Sequence, residues 1–561
     1  MLSATPTRPG LGRVAPAVAT AAALMVHVLA ALRLDARAPT GDEARLAAGV
    51  YAAGGGPVGP VPLSFPDVLA ARQLAAVTAL VPGGTWSVWA TAQIGVLTVG
   101  LLTAVLVWPV LRRLGCGNGP TALGVALVGV TPPAVAAHST VVAAAVAAPW
   151  LLVAALLIGR SRVRQVAAVV AVLVAVLTAP LVGAAVLALA AYAIFDGTVS
   201  RRPGRALRVA GGVVVGLAAV VLAVASSRGP QPGAAAPPLS GGLTAVVAVV
   251  GLALVVAGWR VRWVRPLLGP AVLLLVVLLV PGPGRAAAAL AVLPFLAVVL
   301  AAVAEDVAAR VPGLRWPVPV SVAGVAAVVT VLLLPVPGPV REPAPSMLLG
   351  WMDQQMPPGT ALHADALDRA ELVEAGFPAE RLRGLGGPVA ADDAVLLGGR
   401  PGPCPVGEVR ATLPWRGGAQ AELCGPADPV ATSEAERTGR VRIGTALAGN
   451  RGLQLGPHAA DLLTTGRVDP RVMMVLSVLA GSHTLVVADF PAAPYAPADT
   501  LRRQVLLGSV DGVPTTTAVP TFLPAWLDGQ HAPFVPAVVQ REDGGLLIGY
   551  GAPTPPGLLP G

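Results

Sequence analysis

From residue 14 to residue 335 the chain runs through ten apolar stretches: 14–33, 86–111, 121–137, 141–159, 165–195, 209–226, 242–259, 267–281, 286–304 and 316–335. About 20 apolar residues in helical form cross the ~30 Å hydrocarbon layer of a bilayer. Backbone N–H and C=O groups cannot be left unpaired in lipid, so segments of this kind have to be helical there. Charged residues make up 12% of the chain and the mean hydropathy is +0.75, where a soluble domain carries roughly 25% charge. The pattern predicts a polytopic α-helical membrane protein.

Arginine placement sets the number of crossings. The stretch 165–195 is 31 residues long with Pro180 near its middle, so it reads as one kinked helix or as two short ones. Arg160, Arg162 and Arg164 precede it, and Arg201, Arg202, Arg205 and Arg208 follow it. Positive loops stay in the cytoplasm, which puts both clusters on one side and requires two crossings. About 11 transmembrane helices then result, with 16 Arg inside, 6 outside and the N-terminus cytoplasmic. The expected location is the plasma membrane, multi-pass, with the C-terminal domain extracytoplasmic. The first span can also be read as a signal peptide, since Ala36-Arg37-Ala38 follows it. A signal core is usually ~7–15 residues and this one is longer, ending in Arg33 and Asp35. An uncleaved anchor is preferred, and the topology is the same either way.

The two parts of the chain differ in charge. Residues 1–340 hold 22 Arg against 7 acids, and residues 341–561 hold 16 Arg against 22 acids. The high pI therefore belongs to the membrane part, and no basic patch with interleaved aromatics points to nucleic acid. Every basic residue is Arg, with no Lys, as in a GC-rich genome of actinobacterial type. The predicted division is a transmembrane domain at 1–340, with a first external loop at 34–85, and an extracytoplasmic α/β domain at 341–561. A Pro-rich joint, PGPVREPAP at 337–345, separates them.

Beyond the joint, helical patterns at 346–356 and 366–375 alternate with a short strand at 360–364. A helix opened by Asp469-Pro470 leads to the buried strand TLVVADF at 484–490, and Glu542-Asp543-Gly544-Gly545 marks a hairpin between 534–540 and 546–550. Cys404 and Cys424 lie in a Gly/Pro-rich segment with little periodic structure. An oxidising compartment permits a disulfide between them, and two free thiols are the other reading. No CxxC or His pair completes a metal site. Cys116, beside Arg112 and Arg113, reads as a cytoplasmic loop thiol.

Only one segment points to chemistry. Asp42 and Glu43 are adjacent acids opening an amphipathic segment directly after the first span, with a second interfacial helix at 66–80. Acids at the lipid boundary can act as a general base or hold a cation. They also simply favour the first turn of any helix. There is no GxxxxGK[ST] loop for ATP, and His458 and His483 are too isolated for zinc. The spans hold almost no ionisable residues, His27 being the exception, which disfavours ion-coupled transport.

LDARAPTGDEARLAAGVYAAGGGPVGP at 34–60 resembles the first external loop of the GT-C superfamily of membrane glycosyltransferases, in particular the protein O-mannosyltransferase and aminoarabinose transferase families. VLTAPLVGAAVLALAAYAIF at 176–195 resembles their mid-chain hairpin, and GRAAAALAVLPFLAVVLAAVAE at 284–305 their late span. WMDQQMPPGTALHADALDRAELVEAGFPAERL at 351–382 is similar to the start of the external domain in actinobacterial relatives. The resemblance covers nearly the whole chain through short motifs. It implies a GT-C-like fold and transfer of a sugar from a polyprenyl-phosphate donor to an envelope glycan, lipid or protein acceptor. It implies Asp42 as the catalytic acid with Glu43 assisting, and Arg285 and His138 toward the donor phosphate. A divalent cation (Mg or Mn) could serve the phosphate as cofactor. The snorkelling of Arg285 at a helix end is the alternative for that residue. Two departures stand out. The second external loop, AAHSTVV at 136–142, has no carboxylate, and the hairpin tip Thr178-Ala179-Pro180 has no Arg. They leave open a different donor, or a non-catalytic envelope-assembly protein whose external domain binds a glycan or protein.

Overall fold

The computed structural model describes residues 15–31, 39–80, 87–157, 161–180, 182–183, 186, 241–261, 264–279, 284–310, 344–357, 359–398, 403–416, 419–426, 429–551 and 554–559. They fall into two compact units, Met1–Gly338 and Pro339–Gly561.

The first unit is helical: α1 (Ala15–Ala31), α2 (Gly41–Ala53), α3 (Phe65–Thr78), α4 (Val88–Arg113), α5 (Asn118–Gly129), α6 (Pro132–His138), α7 (Ala144–Leu157), α8 (Arg162–Thr178), α9 (Gly241–Gly258), α10 (Arg265–Leu279) and α11 (Gly284–Arg310). Small residues let the apolar helices approach, as in helix packing within lipid. A Cβ on Gly129 of α5 would lie 2.6 Å from the Ala23 side chain of α1 and 2.9 Å from that of Ala104 in α4. On α11, Glu305 Oε2 accepts from the Gly117 N–H (2.8 Å) just ahead of α5. Cys116 is buried beside it; burial, then the Glu305 charge, pushes its thiol up to about 11.

Among the described residues two helices, α4 and the Ala288–Val307 part of α11, are by themselves long and apolar enough to cross a membrane, and a bent pair makes up to three. The remaining expected crossings are shorter apolar helices or fall outside the described residues, as do 209–226, 316–335 and most of the second half of 165–195. The expected span at 121–137 is the bent pair: α5 and α6 meet at 50°. Pro132 and Pro133 follow the break, and proline forces the residue before it out of the helical region; Thr131 has ψ 145. Pro180 acts in the same way, since α8 stops at Thr178 and Ala179 is extended.

The second unit holds two sheets. Helices α12 (Ala344–Gln355) and α13 (Ala366–Glu374) accompany strands β1 (Leu362–Ala364), β2 (Leu382–Gly384), β3 (Ala394–Gly398), β4 (Glu408–Pro414) and β5 (Gln420–Gly425), in the order β2-β1-β3-β5-β4. β1 runs parallel to β2 and β3, while β5 is antiparallel to β3 and β4. β4 and β5 lie in the segment that looked aperiodic, where Gly- and Pro-rich stretches flank two short strands whose pairing carries a register shift between Val409 and Ala411. Cys404 and Cys424 are disulfide-bonded, tying the approach to β4 onto β5.

After α14 (Pro429–Thr432) come α15 (Glu434–Ala448), α16 (Pro457–Thr464), α17 (Pro470–Ala480) and α18 (Phe522–Asp528). They are interleaved with β6 (Leu453–Leu455), β7 (Leu485–Asp489), β8 (Gln504–Val510), β9 (Val513–Pro514), β10 (Val538–Glu542) and β11 (Gly545–Gly549), in the order β10-β11-β8-β7-β6 with β9 on β8. The hairpin signature closes β10 on β11, with Glu542 opposite Gly545. Each sheet has its own core. Leu348, Trp351, Leu362, Leu396 and Leu423 fill the first, and Val472, Leu476, Leu485, Leu507 and Ile548 the second.

Candidate functional site

The acids of the first loop sit at the start of α2. Thr40 caps the helix: its hydroxyl accepts from the Glu43 N–H (3.4 Å), and Glu43 Oε2 accepts from the Thr40 N–H (2.9 Å). Such a reciprocal capping box satisfies two otherwise orphaned donors. The other oxygen of Glu43 crosses to the turn after α6, where it accepts from the Val141 N–H at 3.1 Å. Glu43 is buried, and these bonds offset the cost of taking a carboxylate out of water. Its neighbour one residue back points the other way. The Asp42 side chain is 59% exposed and pairs with Arg45 on the next turn. An exposed pair of this kind is worth ~0–1 kcal/mol, so Asp42 is available to a ligand while Glu43 is spent on the scaffold.

The turn that Glu43 grips begins at His138, the last residue of α6. His138 is buried, with Nδ1 3.2 Å from Nε2 of His27 in α1. His27 Nδ1 lies 2.8 Å from the Ala23 carbonyl. A carbonyl only accepts, so His27 Nδ1 carries a proton; in the neutral ring Nε2 then accepts from His138 Nδ1–H. Space for the His138 ring comes from Gly100 of α4, where a Cβ would stand 2.4 Å from His138 Cγ. Two turns earlier on α4, Gln93 is buried with its amide toward the Ser139 carbonyl (3.5 Å), and its Oε1 has no partner among the described residues. The 138–141 turn is thus held by α1, α2 and α4 together.

Arg285 is the second residue of α11, and its side chain lies outside the described part of the structure. The backbone register places its end of the helix. Glu305 meets Gly117, and Ala297 meets Gly124, whose Cβ would fall 3.2 Å from the Ala297 carbonyl. α11 therefore runs antiparallel to α5, and its early turns lead toward α6, on which it packs. Among the described residues no three His, Cys, Asp or Glu side chains converge.

Sequence reasoning named Asp42, Glu43 and His138 separately; the structure joins Glu43 and His138 through one turn. Gln93 and Gly100 were missed. Their spacing of seven residues puts them on one face of α4, a weak signal inside a continuous apolar run. His27 was noticed only as the rare ionisable residue of the spans.

Glu43→Ala frees the Thr40 and Val141 N–H groups and should cost about 1–3 kcal/mol. Glu43→Gln, which keeps an oxygen acceptor, should cost less. Thermal melting of the purified chain checks this, and equal melting of Glu43→Ala and wild type would remove the tie.

No family model matches the chain, and no curated protein matches it. Among solved structures it is similar to ArnT from Cupriavidus metallidurans in the apo state, at 17% identity and a TM-score of 0.47, covering 73% of this chain and 98% of that one. It is similar also to the same protein bound to undecaprenyl phosphate, at 17% identity and a TM-score of 0.46, covering 73% of this chain and 99% of that one.

Proposed function

We propose that the chain is an integral-membrane, GT-C-like glycosyltransferase. It would move a sugar from a polyprenyl-phosphate donor to an envelope glycan, lipid or protein on the outer face. The observation that carries this reading is the division of labour at the start of α2. Glu43 locks the first loop to the 138–141 turn, and Asp42 stands exposed beside that lock. Asp42 takes the proton of the acceptor as the acceptor atom attacks the anomeric carbon. The bond from that carbon to the phosphate oxygen breaks, its electron pair leaving with the lipid phosphate. One positioned base and a stabilised leaving group suffice for such an inverting step. Arg285 is assigned to the leaving phosphate as a charge-assisted donor. His138, held by His27, would act beside it through the turn it anchors.

The test is binding of radiolabelled polyprenyl-phosphate sugars to the purified protein. Saturable binding is expected, weakened about tenfold or more by Arg285→Ala and unchanged by Asp42→Asn. If folded protein binds no donor, the catalytic reading fails and a non-catalytic assembly role replaces it.

A further inference from the structure

The second unit contains a cavity of about 380 Å³ between the edge of the first sheet and the chain that leads into β8 of the second. Ligand sites of small molecules are typically ~300–1,000 Å³. One wall is the start of the edge strand β4, with Glu408 and Val409; α14 contributes Thr432. The other wall is the β7–β8 connection, residues 490–503, with Asp499, Leu501 and Arg503.

A connection of this length without secondary structure is uncommon and usually functional. This one is strapped down at both ends. Tyr495 O accepts from the Thr412 N–H (2.9 Å) of β4, and Pro494 O accepts from Trp351 Nε1 (2.8 Å). At the far end the Arg502 N–H donates to Arg467 O (2.8 Å), and Asp469 N–H to Arg502 O (2.9 Å). Tyr495 has φ 65, a conformation that residues other than glycine hold only where the surroundings enforce it, often at ligand sites. The wall is therefore built, and the cleft behind it is part of the fold.

Its lining selects a chemistry. Glu408 is oriented by Arg410, whose Nη1 donates to Oε1 at 3.2 Å. Asp499 is exposed and makes no ion pair or hydrogen bond among the described residues. Arg503 is buried, with Nη1 donating to Gly551 O (3.3 Å) and Nε 3.8 Å from Asp469 Oδ2. Glu408 is balanced by Arg410, and Arg503 faces Asp469, so among the described residues the lining adds only the charge of Asp499, which suits a neutral ligand better than a phosphate or nucleic acid. Carboxylates accept pairs of neighbouring hydroxyls, while Val409 and Leu501 offer aliphatic surface to C–H faces.

We infer that this cleft binds a neutral saccharide unit, with Glu408 and Asp499 accepting its hydroxyls. The inference is independent of sugar transfer at α2. It is tested by calorimetric titration of the full chain in nanodiscs, since maltoside detergents are themselves saccharides, with short neutral hexose oligosaccharides as probes. Saturable binding is expected, weakened about tenfold by Asp499→Asn and further by adding Glu408→Gln. Asp461→Asn, an exposed acid outside the cleft, and Asp42→Asn should leave it unchanged. The inference is overturned if no oligosaccharide binds, if binding ignores both cleft substitutions, or if a basic peptide binds in preference to every sugar.

Discussion

Asp42→Asn should leave the protein folded, membrane-inserted and able to bind its donor, while slowing sugar transfer by about 10²–10⁴-fold. That is the usual range for loss of a positioned general base. The amide keeps the size and hydrogen-bonding shape of the carboxylate but cannot take a proton. Little stability is at risk, because among the described residues the ion pair lost is the exposed one to Arg45. Arg45→Ala separates the two effects, since it removes the pair, leaves the base and should preserve transfer. The measurement is single-turnover transfer from a radiolabelled polyprenyl-phosphate sugar. Full transfer by Asp42→Asn would eliminate Asp42 as the base, whatever the donor proves to be. Glu43 is no substitute, because its oxygens serve the Thr40 and Val141 N–H groups and its side chain is buried.

What was legible in the chain was mostly local. Hydropathy located α1, α4 and α11, and the hairpin signature located β10 and β11, because each depends on residues a few positions apart. The 50° bend between α5 and α6 could be placed only by weighing Pro132-Pro133 against an apolar run that otherwise reads as one span. β4 and β5 were missed because Gly- and Pro-rich stretches surround them, although residues 408–413 themselves alternate. The site was legible as residue types and illegible as an arrangement. The bond from Val141 to Glu43 joins residues 98 apart, and that between His27 and His138 joins residues 111 apart. No periodicity reports contacts of that range. Gly100 shows the difficulty most plainly: in sequence it is one small residue in an apolar helix, and in space it is the room for a histidine ring.

The largest stability effect is expected at Asp469. Its carboxylate is fully buried at the start of α17, where it accepts from the Arg471 backbone N–H at 2.8 Å. The Arg471 guanidinium binds it in bidentate fashion, Nε at 3.0 Å and Nη2 at 2.9 Å, and the Thr554 hydroxyl donates to the same carboxylate. Arg471 lies in turn over the Tyr550 ring, 5.0 Å from its centre. Burial alone would raise the Asp469 pKa, but the hydrogen bonds and charge of Arg471, with Arg503 and Thr554, outweigh it and hold the carboxyl below the ordinary range. Asp469→Ala removes the buried carboxylate that Arg471 and Thr554 hold and should cost about 3–5 kcal/mol. The pH dependence follows from the sign of the shift. In the unfolded chain the group protonates near its ordinary pKa of ~3.9, while the folded form stays ionised to lower pH. The stabilisation is therefore complete above about pH 5 and drains away as pH falls through the folded pKa. Denaturant unfolding of the C-terminal unit in the full chain, followed by tryptophan fluorescence, should show Asp469→Asn well below wild type at neutral pH. That gap should narrow as pH falls below about 4 and vanish only below the depressed folded pKa, as wild type loses what the variant never had. A gap that persists unchanged into strong acid would mean the stabilisation comes from the shape of the side chain and not from its charge.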